Sequence, residues 1–279
     1  GTNAQGAYST AVGNSAGKVS QAASATAIGT LAGSNAQGTL SVAVGNQAGQ
    51  VSQGTSAVAI GRSAGINAQG NNSTAVGFYA GSNSQGADSV AIGVLAACNA
   101  QGTQSVAIGS SAGKASQGDY ATAVGRAAAV NAQGDYSTAV GFEAGSGDQG
   151  ANSVAVGVNA GRDSQGVNSV AIGINAGCAS QGAQCVAVGN KAGSNQQGAY
   201  GVAIGESAGC ADQGVNSVAV GVNAGLNAQG NNSVAVGDQA GKASQGTNSV
   251  AVGREAALNA QGGSSVAVGY LAGNADQAA

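Results

Sequence analysis

Apolar and polar positions along the chain follow one short rule. Pentapeptides of the type Ser233-Val234-Ala235-Val236-Gly237 return every 16 residues without insertion or deletion. There are 17 copies, from Ser9-Thr10-Ala11-Val12-Gly13 to Ser265-Val266-Ala267-Val268-Gly269. Let the first residue of the pentapeptide be position 1 of the repeat. Position 2 is Val in 12 copies and Thr in five, and position 4 is always Val or Ile. Positions 3 and 8 are Ala, position 5 is Gly and position 13 is Gln in every copy. Position 14 is nearly always Gly, whereas positions 6, 7, 10, 15 and 16 vary freely. A fixed short period marks a solenoid, whose units cannot fold alone.

Small and β-branched residues alternate over positions 1 to 4, which predicts a strand with one buried face. Gly at position 5 ends it and permits a turn with positive φ. Positions 10 to 13, as in Lys242-Ala243-Ser244-Gln245, predict a second, weaker strand, and Gly at position 14 opens the next turn. A helix is excluded, because two or three glycines per repeat would each cost about 1 kcal/mol in its interior. The expected fold is all-β: a single-stack parallel β-solenoid, or β-roll, of about 17 coils with two short strands each. Residues 1–279 are expected to form one continuous repeat domain, cut from a longer protein because both ends fall mid-repeat.

Alternation assigns the faces. The large β-branched residues of positions 2 and 4 are expected to point inward as core. The small residues of positions 1 and 3 are then expected to point outward as a smooth interface row: Ser41, Ala43, Ser73, Ala75, Ser89, Ala91, Ser105, Ala107, Ser153, Ala155, Ser169, Ala171, Ser217, Ala219, Ser233, Ala235, Ser249 and Ala251. The Gln of position 13 is expected to form a structural ladder, because stacked coils about 4.8 Å apart bring identical amides into register. Its members are Gln21, Gln37, Gln53, Gln69, Gln85, Gln101, Gln117, Gln133, Gln149, Gln165, Gln181, Gln197, Gln213, Gln229, Gln245 and Gln261. A ligand-binding row is the other reading of this column. Strict repetition favours the scaffold.

Composition narrows the function classes. Only 7% of residues are charged, the net charge is −3, and the eight Lys and Arg are scattered. No basic stripe is available for nucleic acid, and no apolar run approaches a membrane span. With no His, imidazole metal sites and His-based nucleophile pairs are absent. The eleven carboxylates, among them Asp148, Asp163, Asp212 and Asp238, fall on different coils and repeat positions. No catalytic, metal or cofactor site is expected, and an enzyme on a lyase-like β-solenoid is disfavoured for want of a charged cleft. Cys98, Cys178 and Cys210 share position 10 and Cys185 takes the Ser slot. Drift into tolerant slots is the simpler reading, with interchain crosslinking as the sharper one. Aromatic residues sit at turns, and Phe78, Tyr79 and Phe142 could form an exposed adhesive patch.

Ser-Val-Ala-Ile/Val-Gly followed by x-x-Ala, as at Ser89-Val90-Ala91-Ile92-Gly93, Ser105–Gly109 and Ser169–Gly173, resembles the head repeats of trimeric autotransporter adhesins of the YadA type. The 16-residue period is longer than the usual head repeat, and the Gln-Gly segment is the addition. The resemblance implies a left-handed parallel β-roll, side-by-side association of three chains and attachment to host matrix or other surfaces. The function expected is therefore a structural fibre or surface adhesin: a rigid repeat rod at a cell or virion surface or outside the cell, its first partner itself, as homotrimer, other homo-oligomer or filament. The alternative is an ice-binding solenoid using the flat Ser/Ala face.

Overall fold

The computed structural model describes residues 3–274. It is an all-β parallel solenoid with two strands per coil and no helix among the described residues. Two compact units are distinguished, Gly1–Ser137 and Thr138–Ala279.

In the first unit one sheet is built from position 2–4 strands, running from Thr10–Val12 and Thr26–Ile28 to Val106–Ile108 and Thr122–Val124. The second sheet is built from the strands ending at position 13, from Asn3–Gln5 to Ala132–Gln133. Pairing is parallel with a shift of one repeat: Val90, Ala91 and Ile92 lie beside Val106, Ala107 and Ile108, and Gln101 lies beside Gln117. The second unit repeats this scheme. Its first sheet runs from Thr138–Val140 to Val266–Val268 and its second from Asp148–Gln149 to Asn227–Gln229. Isolated bridges from Gln229 to Gln245 and from Gln245 to Gln261 extend the second sheet.

The turns explain the fixed glycines. At position 5, Gly45 has φ 131°, and a Cβ added there would stand 2.6 Å from the carbonyl oxygen of Gly61 in the next coil. Stacking thus forbids a side chain. At position 9, a Cβ on Gly49 would stand 2.7 Å from Oε1 of Gln53, so this glycine makes room for the core amide. Positions 7 and 16 are left-handed without being glycine, as at Tyr79 and Tyr120 (φ 53° and 57°). The hydrogen bonds of the turns run from coil to coil, for example from the Tyr79 amide to the Arg62 carbonyl at 3.1 Å. Stacking holds a strained conformation that a lone turn would give up.

The faces are the reverse of the expectation. Ser41, Ala43, Ser73, Ala75, Ser89, Ala91, Ser105, Ala107, Ser153, Ala155, Ser169, Ala171, Ser217, Ala219, Ser233, Ala235, Ser249 and Ala251 are all 0% exposed. This row is core and not an outer surface. The β-branched residues of positions 2 and 4 point out, and Ile28, Ile60, Ile92, Ile108, Ile172 and Ile204 are 38–41% exposed. The reason is thickness. The two sheets lie close enough for the position 13 amide to reach from one to the other. Ala and Ser leave it space, and two β-branched side chains in its place would fill the gap. An ice-binding surface made of Ser and Ala falls with the same observation.

Candidate functional site

The chain's most distinctive surface is the outer face of the first sheet. Each coil contributes two neighbours to it, from positions 2 and 4. Every one of these residues is Val, Ile or Thr, and none is charged. In the first unit the face runs from Thr10 and Val12 to Thr122 and Val124, and in the second from Thr138 and Val140 to Val266 and Val268. Isolated apolar side chains on a surface are ordinary. Within each unit a double row continued over successive coils is a contiguous patch, and such patches mark interaction sites.

The face is built by what lies beneath it. Ser41 Oγ donates to the Gly38 carbonyl at 2.6 Å, Ser73 to Gly70 at 2.6 Å and Ser105 to Gly102 at 2.7 Å. These bonds tie the start of their strands to the preceding turn, while Ser89 and Ser169 reach instead to the Gly102 and Gly182 carbonyls of the next coil. The Gln column then bridges the sheets. In the first unit Nε2 of Gln21, Gln37, Gln53, Gln69, Gln85, Gln101, Gln117 and Gln133 donates to the position 2 carbonyl of its own coil at 2.7–2.9 Å. In the second unit Gln149, Gln165, Gln181, Gln197, Gln213, Gln229, Gln245 and Gln261 do the same at 2.8–3.0 Å. Amide-to-amide bonds along the stack are fewer and longer, as from Gln101 to Gln117 at 3.2 Å and from Gln245 to Gln261 at 3.2 Å. The position 13 Gln side chains from Gln21 to Gln261 are buried. The column's main partner is therefore the opposite sheet, with the neighbouring Gln second.

The ionisable groups are dispersed. Asp163 accepts two bonds from the Arg162 guanidinium, at 2.7 and 3.0 Å, which holds its carboxyl below the ordinary range and pushes the Arg162 guanidinium up. Stacking does bring Asp148 beside it, with a backbone bond of 3.2 Å, but Asp163 is spent on the arginine. No group of three or more Cys, Asp or Glu placed to hold a metal occurs among the described residues. All four cysteines are free thiols. Cys185 is buried in the Ser slot, its Sγ 3.0 Å from the Gly198 carbonyl, and burial pushes the thiol up. Cys98 and Cys210 lie 3.3 and 3.1 Å from the hydroxyls of Ser82 and Ser194 in the preceding coils.

At the turns, Phe78 meets Tyr79 edge to face with centroids 4.6 Å apart, and Arg62 lies over Phe78 at 5.3 Å. Tyr120 and Tyr136 are stacked at 4.8 Å with an interplanar angle of 4°, the coil spacing made visible in side chains. A shallow groove of about 590 Å³ lies over the glycine turns of Gly182, Gly198 and Gly214, walled by Ser180, Gln196 and Asp212.

This geometry, with small residues inside a thin parallel roll and Val and Ile outside, accompanies a match in sequence. The YadA head domain repeat model, which spans two copies, matches residues 52–80, 68–96, 99–112, 116–144, 213–240 and 228–256. These segments, just under half of the chain, are YadA-like head repeats. No curated protein matches it. Hydrophobicity alone would place the outward pair of positions 2 and 4 in the core, and burial places it outside. The signal that could have placed them is in the columns themselves. Position 3 never departs from Ala, while position 2 accepts Thr in five copies. A packed interior tolerates that exchange poorly, since the hydroxyl needs a partner.

Proposed function

We propose that the chain is the head of a surface adhesin or fibre, and that its outward Val, Ile and Thr rows are the seam along which three copies associate. The observation that carries this reading is the uncharged double row on the outer face of the first sheet. A soluble chain gains by covering such a face, and a flat face repeated in every coil is complementary to its own copy. Head repeats of the YadA type belong to trimeric adhesins, which favours three chains over two. Within such an assembly the second sheet and the turns, which carry the charges and aromatic rings, remain turned to the surroundings. They are the natural place for contact with a host surface or matrix component, outside the cell or on its surface.

Sedimentation equilibrium tests the reading. The expected mass is three times the 25.7 kDa of the chain. Val106→Asp with Ile108→Asp places charges on the seam without touching the interior. This variant is expected to sediment as a monomer while keeping the β-sheet circular dichroism of the parent. A parent chain that is monomeric at tens of micromolar, about the range in which weak interfaces still populate, would overturn the proposal.

A further inference from the structure

Association along a repeated face raises the question of register. Coils are near copies of one another, so one chain displaced along the stack by whole coils, about 4.8 Å each, would make almost the same contacts. Repetitive, weakly patterned strands slip for this reason. Closed symmetry forbids a displacement that accumulates around the ring. It does not forbid one chain offset against two that are in step.

The outward rows of the first unit carry a pattern that resolves the ambiguity. Position 4 alternates over Val12, Ile28, Val44, Ile60, Val76 and Ile92 and then continues as Ile108 and Val124. An offset of one coil sets Val against Ile over the alternating part, whereas an offset of two matches that part and mismatches only at its end, Val76 against Ile108 and Ile92 against Val124. Position 2 has a different period. Thr26, Thr74 and Thr122 recur every third coil, so an offset of two sets Thr26 against Val58 and Thr74 against Val106. An offset of three restores Thr26 against Thr74 and Thr74 against Thr122 but sets Thr10 against Val58, and at position 4 it sets Ile28 against Val76 and Val44 against Ile92. Position 4 resists the two-coil slip at only two pairs, where position 2 resists it along most of the unit, and no slip of up to three coils matches both rows.

The Thr residues supply the polar half of this device. Thr26, Thr74 and Thr122 lie on the outer face, half-buried, and their hydroxyls make no hydrogen bond within the chain among the described residues. In step, hydroxyls of the same coil meet across the seam, where each can donate and accept. Out of step, a hydroxyl is buried against a methyl group and loses its partner. We propose that the position 2 threonines, read together with the Val/Ile alternation of position 4, fix the axial register of the assembled chains. This rests on the self-association reading above.

The test uses the whole chain with Cys98, Cys178, Cys185 and Cys210 replaced by Ser. A tagged chain carrying Val44→Cys is co-expressed with an untagged chain carrying Val76→Cys, and the assembly is oxidised. The two sites are two coils apart, about 9.6 Å in the in-step arrangement and beyond disulfide reach. They become level only in the two-coil offset. With the threonines present, tagged chains are expected to crosslink to one another and hardly at all to untagged ones. Replacing Thr10, Thr26, Thr74, Thr122 and Thr138 by Val, the commoner residue of that column, is expected to raise the mixed disulfide about tenfold, the scale set by a few lost hydroxyl pairings. Sedimentation of the same samples separates the two ideas. A trimer whose mixed disulfide does not respond to the Val replacements overturns the register role and leaves the seam intact. A monomer overturns both.

Discussion

The two faces of one three-residue strand obey opposite rules. Inside, Ala107 lies between Ala91 and Ala123 and is completely buried. A Cβ on Gly113 would stand 3.3 Å from the Ala107 Cβ, so the interior has no slack there. Outside, Val106 and Ile108 are only partly covered, Ile108 being 38% exposed. The interior selects for size, and the exterior for apolar character and shape. What distinguishes the faces is what covers them: the inward residue meets the other sheet of its own chain, and the outward one is left partly uncovered by its own chain.

Exchanging the two requirements gives the largest expected effect. Ala107→Val adds two methyl groups towards Gly113 and the Gln117 amide, and should cost about 1–3 kcal/mol or more through overpacking. The reciprocal change, Val106→Ala, removes atoms from the open face. In the unassociated chain it should cost under about 0.5 kcal/mol, as surface substitutions do. Thermal melts followed by circular dichroism, at a concentration where the chain is a monomer, measure both. Equal losses, or a larger loss for Val106→Ala, would mean that the faces have been assigned the wrong way round.

Next in size is the amide that sets the spacing between the sheets. Gln117 donates to the Val106 carbonyl at 2.8 Å and to the Ala121 carbonyl at 3.2 Å, and accepts from Gln101 at 3.2 Å. Gln117→Leu preserves the volume and abolishes all three. The Gln101 amide then keeps its bonds to the Val90 and Ser105 carbonyls, while the Val106 and Ala121 carbonyls lose a buried donor, for an expected cost of about 1–2 kcal/mol. The contrasting substitution is on the same strand's outer side. Ser116 is exposed, and Ser116→Ala should leave the melting temperature nearly unchanged. A Gln117→Leu chain as stable as its parent would show that the bridge between the sheets is incidental.

These residues also show what a sequence of this kind discloses. The 16-residue period, the strand at positions 2 to 4, the breaks at glycine and the second strand ending in Gln were all legible, because periodicity and backbone demands leave direct marks in the columns. The sidedness was not. Alternation says that one face is buried and is silent about which, and a one-residue change of phase exchanges every side chain between the faces. The usual tie-breaker, that larger apolar residues lie inside, fails where the core is a slab bridged by an amide. The fixed size of Ala107 and its equivalents was better evidence of burial than the hydrophobicity of Val106. The stacking of Tyr120 on Tyr136 was within reach too, since the shared position 16 places both rings on one column.

The smallest of the expected effects concerns a residue that stands in for another. Cys185 occupies the column held by Ser in most copies, and its thiol points at the Gly198 carbonyl of the next coil, as the Ser89 and Ser169 hydroxyls point at Gly102 and Gly182. Desolvation raises its pKa, with backbone hydrogen bonding from Gly201 and its neighbours opposing the shift. A thiol whose pKa is raised on folding favours the folded state at neutral pH, where both states are protonated. That advantage is lost as the pH climbs through the ordinary thiol range towards the folded value, because the unfolded chain ionises first. The melting temperature of the parent should therefore decline in mild alkali. Cys185→Ser should be near neutral at pH 7 and should decline less steeply. An outward-facing thiol would show no such difference, so identical alkaline profiles for the two chains would place position 1 on the wrong side of the strand at that coil.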